Sequence, residues 1–116
     1  MTNRVVWFDI PVVELARATE FYSKVLDVPV KGAHGVAVLE HDGDDVAGCL
    51  IQSDDEKPSG TGLLLYFNVS GRLDAATLAA EQFGGKILKA KEAIGQFGYR
   101  TIVLDSEGNR IALHSD

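Results

Sequence analysis

One order of elements, a strand, a helix and three strands, runs through residues 1–53 of this 116-residue chain and again through 61–116. In the first half, Val5-Val6-Trp7-Phe8-Asp9-Ile10 is rich in β-branched and aromatic residues and reads as a strand. Leu15, Ala18, Phe21, Tyr22, Val25 and Leu26 then recur at three- and four-residue steps, with charged residues between them. That is the pattern of an amphipathic helix, and Pro29 ends it. A short segment around Val28 to Val30, the run Gly35 to Glu40, a polar turn at residues 41–45 and the run Val46 to Gln52 supply three strands. Residues 54–60 are charged and broken by Pro58 and Gly60, which predicts a solvated linker. The pattern then restarts. Leu63 to Val69 is a strand, and Leu73, Ala76, Ala80 and Phe83 mark a helix stopped at Gly84-Gly85. Lys86 to Ala93, Tyr99 to Leu104 and Arg110 to His114 complete the second set. Laid over each other, Trp7 falls on Leu64, Leu15 on Leu73, and Val38-Leu39-Glu40 on Val103-Leu104-Asp105. Even the turn Asp42-Gly43-Asp44 repeats, as Glu107-Gly108-Asn109. Two copies are too few for a solenoid and predict a pseudo-symmetric pair of modules in one domain.

Charge narrows the partners. Seventeen acidic and eleven basic residues give a net charge of −6, so a phosphate backbone or an anionic membrane surface is repelled and neither nucleic acid nor membrane is expected. The lone Cys49 excludes an intramolecular disulfide framework and fits a reducing compartment. The start Met1-Thr2-Asn3-Arg4 leads into a short apolar run interrupted by Asp9, so neither a signal peptide nor a membrane span is expected, and the cytoplasm is the default location.

Val6-Trp7-Phe8-Asp9-Ile10-Pro11-Val12, the following Ala18-Thr19-Glu20-Phe21-Tyr22-Ser23-Lys24-Val25-Leu26, and Asp105-Ser106-Glu107-Gly108-Asn109-Arg110-Ile111 together resemble the vicinal oxygen chelate superfamily. That superfamily holds glyoxalase I, bleomycin-resistance proteins and extradiol dioxygenases, and the likeness is to a short bacterial-type member related to lactoylglutathione lyase. The resemblance implies an α+β fold of two tandem βαβββ modules forming a curved eight-stranded cup with helices outside, commonly closed by a homodimer. It leaves the reaction open, because one fold hosts many chemistries.

Side chains alternate faces along a strand, so parity sorts the residues that line such a cup. Val6, Phe8 and Ile10 form an apolar face suited to the helix layer, which leaves Trp7 and Asp9 on the other. In the second module Leu63, Leu65, Phe67 and Val69 do the same, leaving Leu64, Tyr66 and Asn68; in the last strand Arg110, Ala112 and His114 turn toward the cup. Metal-dependent relatives place a His or Glu on the first and last strand of each module. Here those positions carry Trp7, Leu64, Ala112 and either Ala47 or Leu50, none of which is a metal donor. The expectation is that the inherited metal site is absent and that no cofactor is held. Asp9 and His114 lie two residues along, and two ligands are too few for a displaced site.

Trp7 offers a flat surface for a planar ligand or simply plugs the cup; both readings stand. Tyr66 and Asn68 add a hydroxyl and an amide to the same face. Asp9 is the candidate general base, against a plain structural acceptor. Gly95-Gln96-Phe97-Gly98-Tyr99-Arg100 is either a hairpin turn or a lid at the cup mouth, whose Phe97 and Arg100 meet a ligand. Cys49 reads as a buried inert thiol and His34 and His41 as loop residues, while the acidic stretches lack calcium-loop spacing. The leading hypothesis is a metal-free cup that binds a small organic molecule through Trp7, Tyr66, Asn68, Phe97, Arg100 and His114. The alternatives are a glyoxalase-type lyase or isomerase using Asp9, with or without a displaced metal, and a non-catalytic interaction module.

Overall fold

The computed structural model describes residues 3–43 and 45–116. Met1, Thr2 and Asp44 lie outside the described residues, and with them the extreme start of the chain and one residue of the turn expected at 41–45. The first repeat folds as β1 (Trp7–Val12), α1 (Leu15–Leu26), β2 (Val30–Ala33), β3 (Val36–Leu39) and β4 (Ala47–Gln52). The second folds as β5 (Leu65–Asn68), α2 (Leu73–Gln82), β6 (Lys86–Ala93), a 3₁₀ turn (Gly95–Phe97), β7 (Tyr99–Leu104) and β8 (Arg110–Ser115).

The eight strands form two four-stranded mixed sheets of identical design, ordered β1-β4-β3-β2 and β5-β8-β7-β6. In each, the first strand runs parallel to the last, Trp7 opposite Ala47 and Leu65 opposite Ile111, and the remaining pairs are antiparallel hairpins. The β2–β3 hairpin turns through His34 and Gly35, both with positive φ. Those signs match the twist of the flanking strands.

Helix α1 buries Ala18, Phe21, Tyr22 and Val25, the stripe its periodicity predicts, and α2 buries Leu73, Ala76 and Ala80. These side chains join Ile10 and Val12 of β1, Phe67 of β5, and Ile111 and Leu113 of β8 in one continuous core that spans both repeats. Fully burying side chains of this size contributes about 1.5–3 kcal/mol each. Phe8 lies edge-on to Phe67 with ring centroids 5.9 Å apart, so the first strands of the two sheets are stitched by aromatic contact.

A polar latch joins the repeats at one end. Asp105, 2% exposed, accepts from the Tyr22 hydroxyl at 2.5 Å, from the backbone N–H of Glu107 and Asn109, and from Asn109 Nδ2. Glu107 reaches across to the start of α1. Its Oε1 accepts from the N–H groups of Val13 and Glu14 at 2.8 Å, and Arg17 grips it with Nε at 2.7 Å and Nη2 at 2.9 Å. A helix start has unpaired N–H groups, and Glu14 makes no side-chain cap of its own here, so Gln52 Oε1 takes the Leu15 N–H at 2.8 Å while the carboxylate from the other repeat takes those of Val13 and Glu14. Asn109 completes the latch by donating to the Pro11 carbonyl at 2.7 Å. Burial alone would raise the Glu107 carboxyl. The Arg17 guanidinium, with the N–H groups of Glu14 and Val13 and the Ser106 hydroxyl, outweighs burial and holds it at about 2.

Several boundaries differ from the expected ones. β1 is shifted two residues along, to Trp7–Val12, and β2 runs Val30–Ala33, after the segment expected around Val28 to Val30, because its register is set by pairing with β3. β5 begins at Leu65 rather than Leu63, because Gly62 sits at φ +90° and breaks the extended run, leaving Leu63 92% exposed. Helix α1 ends at Leu26, where Asp27 adopts the left-handed conformation, before Pro29 is reached.

Candidate functional site

Each sheet gives one face to the core and leaves the other open, and the expected site residues lie on the open faces. On the first sheet, Asp9 stands opposite Cys49, which stands opposite Val38. Trp7 Nε1 donates to Asp9 Oδ1 at 2.8 Å, and Cys49 Sγ donates to the same oxygen at 3.3 Å. Asp9 is exposed here, with Oδ1 shared by the indole and the thiol. Burial, followed by the hydrogen bond to Asp9, pushes the Cys49 thiol up to about 11. That is a protonated, unreactive thiol at neutral pH.

The second sheet carries a row of polar side chains straight across its open face. Asn68 on β5 pairs with His114 on β8, His114 with Arg100 on β7, and Arg100 with Glu92 on β6. Arg100 Nε donates to Glu92 Oε2 at 2.9 Å, and its Nη1 donates to the Tyr66 hydroxyl. Tyr66 sits one row away on β5, with Ala112 between it and Ile102. The short Ala112 side chain leaves room for the phenol to lean over β8 and reach Arg100. The guanidinium also lies 5.9 Å from the Tyr66 ring centroid. The hydrogen bonds it donates to Glu92 and then to Tyr66 raise the Arg100 pKa, and the Arg100 hydrogen bond lowers that of Glu92. The group is a fixed cation whose charge is largely met by its neighbour.

His114 Nε2 lies 2.5 Å from the Phe97 carbonyl oxygen. A carbonyl only accepts, so Nε2 carries the proton and, in the neutral ring, Nδ1 keeps the lone pair. This bond ties β8 to the 3₁₀ turn between β6 and β7, where Gly98 at φ +91° passes so close to the Ser115 carbonyl that a Cβ would stand 2.3 Å from it. The turn thus sits over the sheet, and Phe97 projects from it 67% exposed.

Tyr66, Ile94, Phe97, Arg100 and His114 enclose an open hollow of about 540 Å3. Tyr66, Phe97, Arg100 and His114, four of the candidate ligand contacts named from the sequence, thus lie around one hollow. Asn68, although on the same face, spends its Oδ1 on the Ser70 N–H at 2.9 Å and borders a neighbouring hollow with Phe8. Trp7 and Asp9 stay on the first sheet. Glu92 and Ile94 escaped the sequence reading; the signal available was a carboxylate on the strand that pairs in hairpin register with Arg100.

The positions that the resemblance assigns to a divalent ion's ligands are Trp7, Leu64, Ala112 and one residue of β4. Ala47 lies opposite Trp7, whereas Leu50 belongs to the helix-facing core. Indole, isobutyl and methyl side chains offer no donor to a hard divalent ion. Among the described residues no three His, Cys, Asp or Glu side chains converge, and no contact joins Asp9 to His114. The donor set does not fit the family's metal, so no chemical step is routed through one here. No helix among the described residues is long and apolar enough to cross a membrane.

Among solved structures, a glyoxalase/bleomycin resistance protein from Albidiferax ferrireducens T118 is similar with a TM-score of 0.82 at 16% identity, covering 98% of this chain and 99% of that one. A glyoxalase-related enzyme from Fulvimarina pelagi gives 0.79 at 14% identity, covering 98% and 88%. The fosfomycin resistance protein FosX from Mesorhizobium loti gives 0.70 at 15% identity, covering 100% and 93%. At these identities the likeness shows the fold. No curated protein matches the sequence. A family model, however, matches residues 4–113, and with that match and the duplicated βαβββ architecture the chain belongs to the glyoxalase/bleomycin resistance protein/dioxygenase superfamily.

Proposed function

We propose that this protein binds a small, partly apolar organic molecule on the open face of its second sheet, without the family's metal. The observation that carries the reading is the convergence of Tyr66, Phe97, Arg100 and His114 on a hollow of about 540 Å3, within the range of small-molecule sites. Phe97 and Ile94 provide apolar wall. Because the Tyr66 oxygen accepts from Arg100, its own O–H is free to donate to a ligand oxygen, while His114 Nδ1 accepts. The complementary ligand therefore offers an acceptor and a donor on an apolar frame, with at most a single negative charge, because Glu92 already meets that of Arg100.

Asp9 as a proton-transferring base fits this geometry less well, since its carboxylate is engaged by Trp7 and Cys49 on the other sheet. We further infer a cytoplasmic homodimer. Trp7 and Val38, 46% and 39% exposed, lie on the open face of the first sheet, and a second copy would cover them.

The test is a thermal-shift screen of the purified protein against small metabolites and antibiotics, repeated with divalent metals and with chelator. One chemical class that stabilises the protein equally with and without chelator, and loses its effect in Arg100→Met and Tyr66→Phe, supports the reading. A shift of several degrees from a divalent metal, abolished by chelator, overturns its metal-free part. Light scattering that gives a 12.5 kDa particle overturns the dimer.

A further inference from the structure

A second cleft lies where β1 of the first sheet, the connecting segment and the start of β8 meet, with a volume of about 290 Å3. We propose that it is a separate binding site for a small monocarboxylate with an apolar body, recognised by Arg110 and Lys57.

The guanidinium of Arg110 is half occupied. Its Nη2 donates to the Gly62 carbonyl at 3.0 Å, while Nε is buried and has no hydrogen-bond partner. Buried polar groups are nearly always paired, so an orphaned N–H in a cleft wall asks for an occupant. Nε and Nη2 form the edge of an arginine that takes a carboxylate side-on, and this protein shows the filled version: Arg17 holds Glu107 through those same two atoms, at 2.7 and 2.9 Å. On Arg110 one backbone carbonyl stands where two carboxylate oxygens would fit. A ligand carboxylate displaces the Gly62 carbonyl and satisfies both nitrogens together. The displaced segment is short and flanked by Gly60 and Gly62, the latter at φ +90°, so it can yield without disturbing a strand.

Charge and lining then select the ligand class. Lys57 and Arg110 both border the cleft, and no carboxylate among the described residues forms an ion pair with either. Asp9 also borders it, its Oδ1 engaged by Trp7 and Cys49. Two cations against one carboxylate leave a place for one negative charge and disfavour a multiply charged phosphate. Ser59, Thr61 and Asn109 add polar wall, and the apolar part, with Phe8, Leu65, Ile111 and the 92% exposed Leu63, is what a bound apolar body would cover. A volume at the lower end of small-molecule sites suits a ligand of roughly ten heavy atoms, the size of benzoate or octanoate.

The site is independent of the second-sheet hollow, and the experiment separates them. The full chain is titrated with benzoate, octanoate, benzamide and inorganic phosphate, read by calorimetry and thermal shift. Saturable binding of benzoate or octanoate is expected, with no response to benzamide or phosphate. Arg110→Met weakens it at least tenfold and Lys57→Met a few-fold, while Arg100→Met leaves it unchanged. Lys57 is exposed in the connecting segment, so its variant keeps the test available where Arg110→Met folds poorly. The proposal is overturned if neither carboxylate binds saturably, if benzamide or phosphate binds as well, if Lys57→Met and Arg110→Met bind like wild type, or if Arg100→Met alone abolishes binding.

Discussion

Replacing Glu107 by Gln tests the latch between the repeats. The substituted amide keeps an oxygen for the Val13 and Glu14 N–H groups but has no charge for Arg17. The Glu107 side chain is fully buried, whereas Arg17 is 47% exposed and therefore screened by solvent. A carboxyl moved from 4.5 to about 2 on folding is worth about 3 kcal/mol at full strength, and screening of Arg17 brings this to about 2 kcal/mol. The folded-state value is depressed, so the stabilisation is fully present above pH 4.5 and is lost as pH falls from there through about 2. Glu107→Gln should therefore lower the melting temperature at pH 7 by roughly 8 °C, since about 1 kcal/mol corresponds to roughly 4 °C in a domain of this size. The gap between the two proteins should narrow steadily below pH 4.5. Calorimetry from about pH 2 to 7 measures it, and taking the difference cancels the other carboxylates. A gap that is absent at pH 7, or constant across the range, refutes the reasoning.

Three further outcomes follow from the geometry. Tyr22→Phe removes the hydroxyl donor to the buried Asp105 carboxylate and should cost about 1.5–3 kcal/mol by urea unfolding, with no change in the far-ultraviolet spectrum. Gly48→Ala should destabilise by about 1–3 kcal/mol, because its Cβ would stand 2.3 Å from the Phe8 ring that packs on Phe67; a neutral result would mean that this ring contact is loose. Cys49, with its thiol near 11, should react with a thiol reagent at about pH 8 more than a hundredfold more slowly than an exposed cysteine, and denaturant should restore the rate.

The duplication, both helices and β6 and β7 to the residue were legible because alternation and three-to-four spacing report burial directly. Parity on β5 and β8 correctly turned Tyr66, Arg110 and His114 away from the helices, and the sequence grouped Tyr66, Phe97, Arg100 and His114, which the fold brings to one hollow. What escaped depends on distant partners. Glu92 gains meaning only from its hairpin register with Arg100, and Glu107 only from lying against Val13 at a helix start 94 residues earlier. Parity placed Trp7 with Tyr66; the strands form two four-stranded sheets, and Trp7 bonds to Asp9 on the first while Tyr66 bonds to Arg100 on the second. The Arg110 fork is invisible in sequence, since its partner is the backbone of Gly62.

The most direct test of the binding reading is amide chemical-shift mapping of the isotopically labelled protein with the compound that most stabilises it in the thermal-shift screen. The account predicts saturable shifts at Tyr66, residues 94–100 and His114, lost in Arg100→Met. Shifts confined to the first sheet around Trp7 and Asp9, or no saturable binding from any compound in the screen, would contradict it.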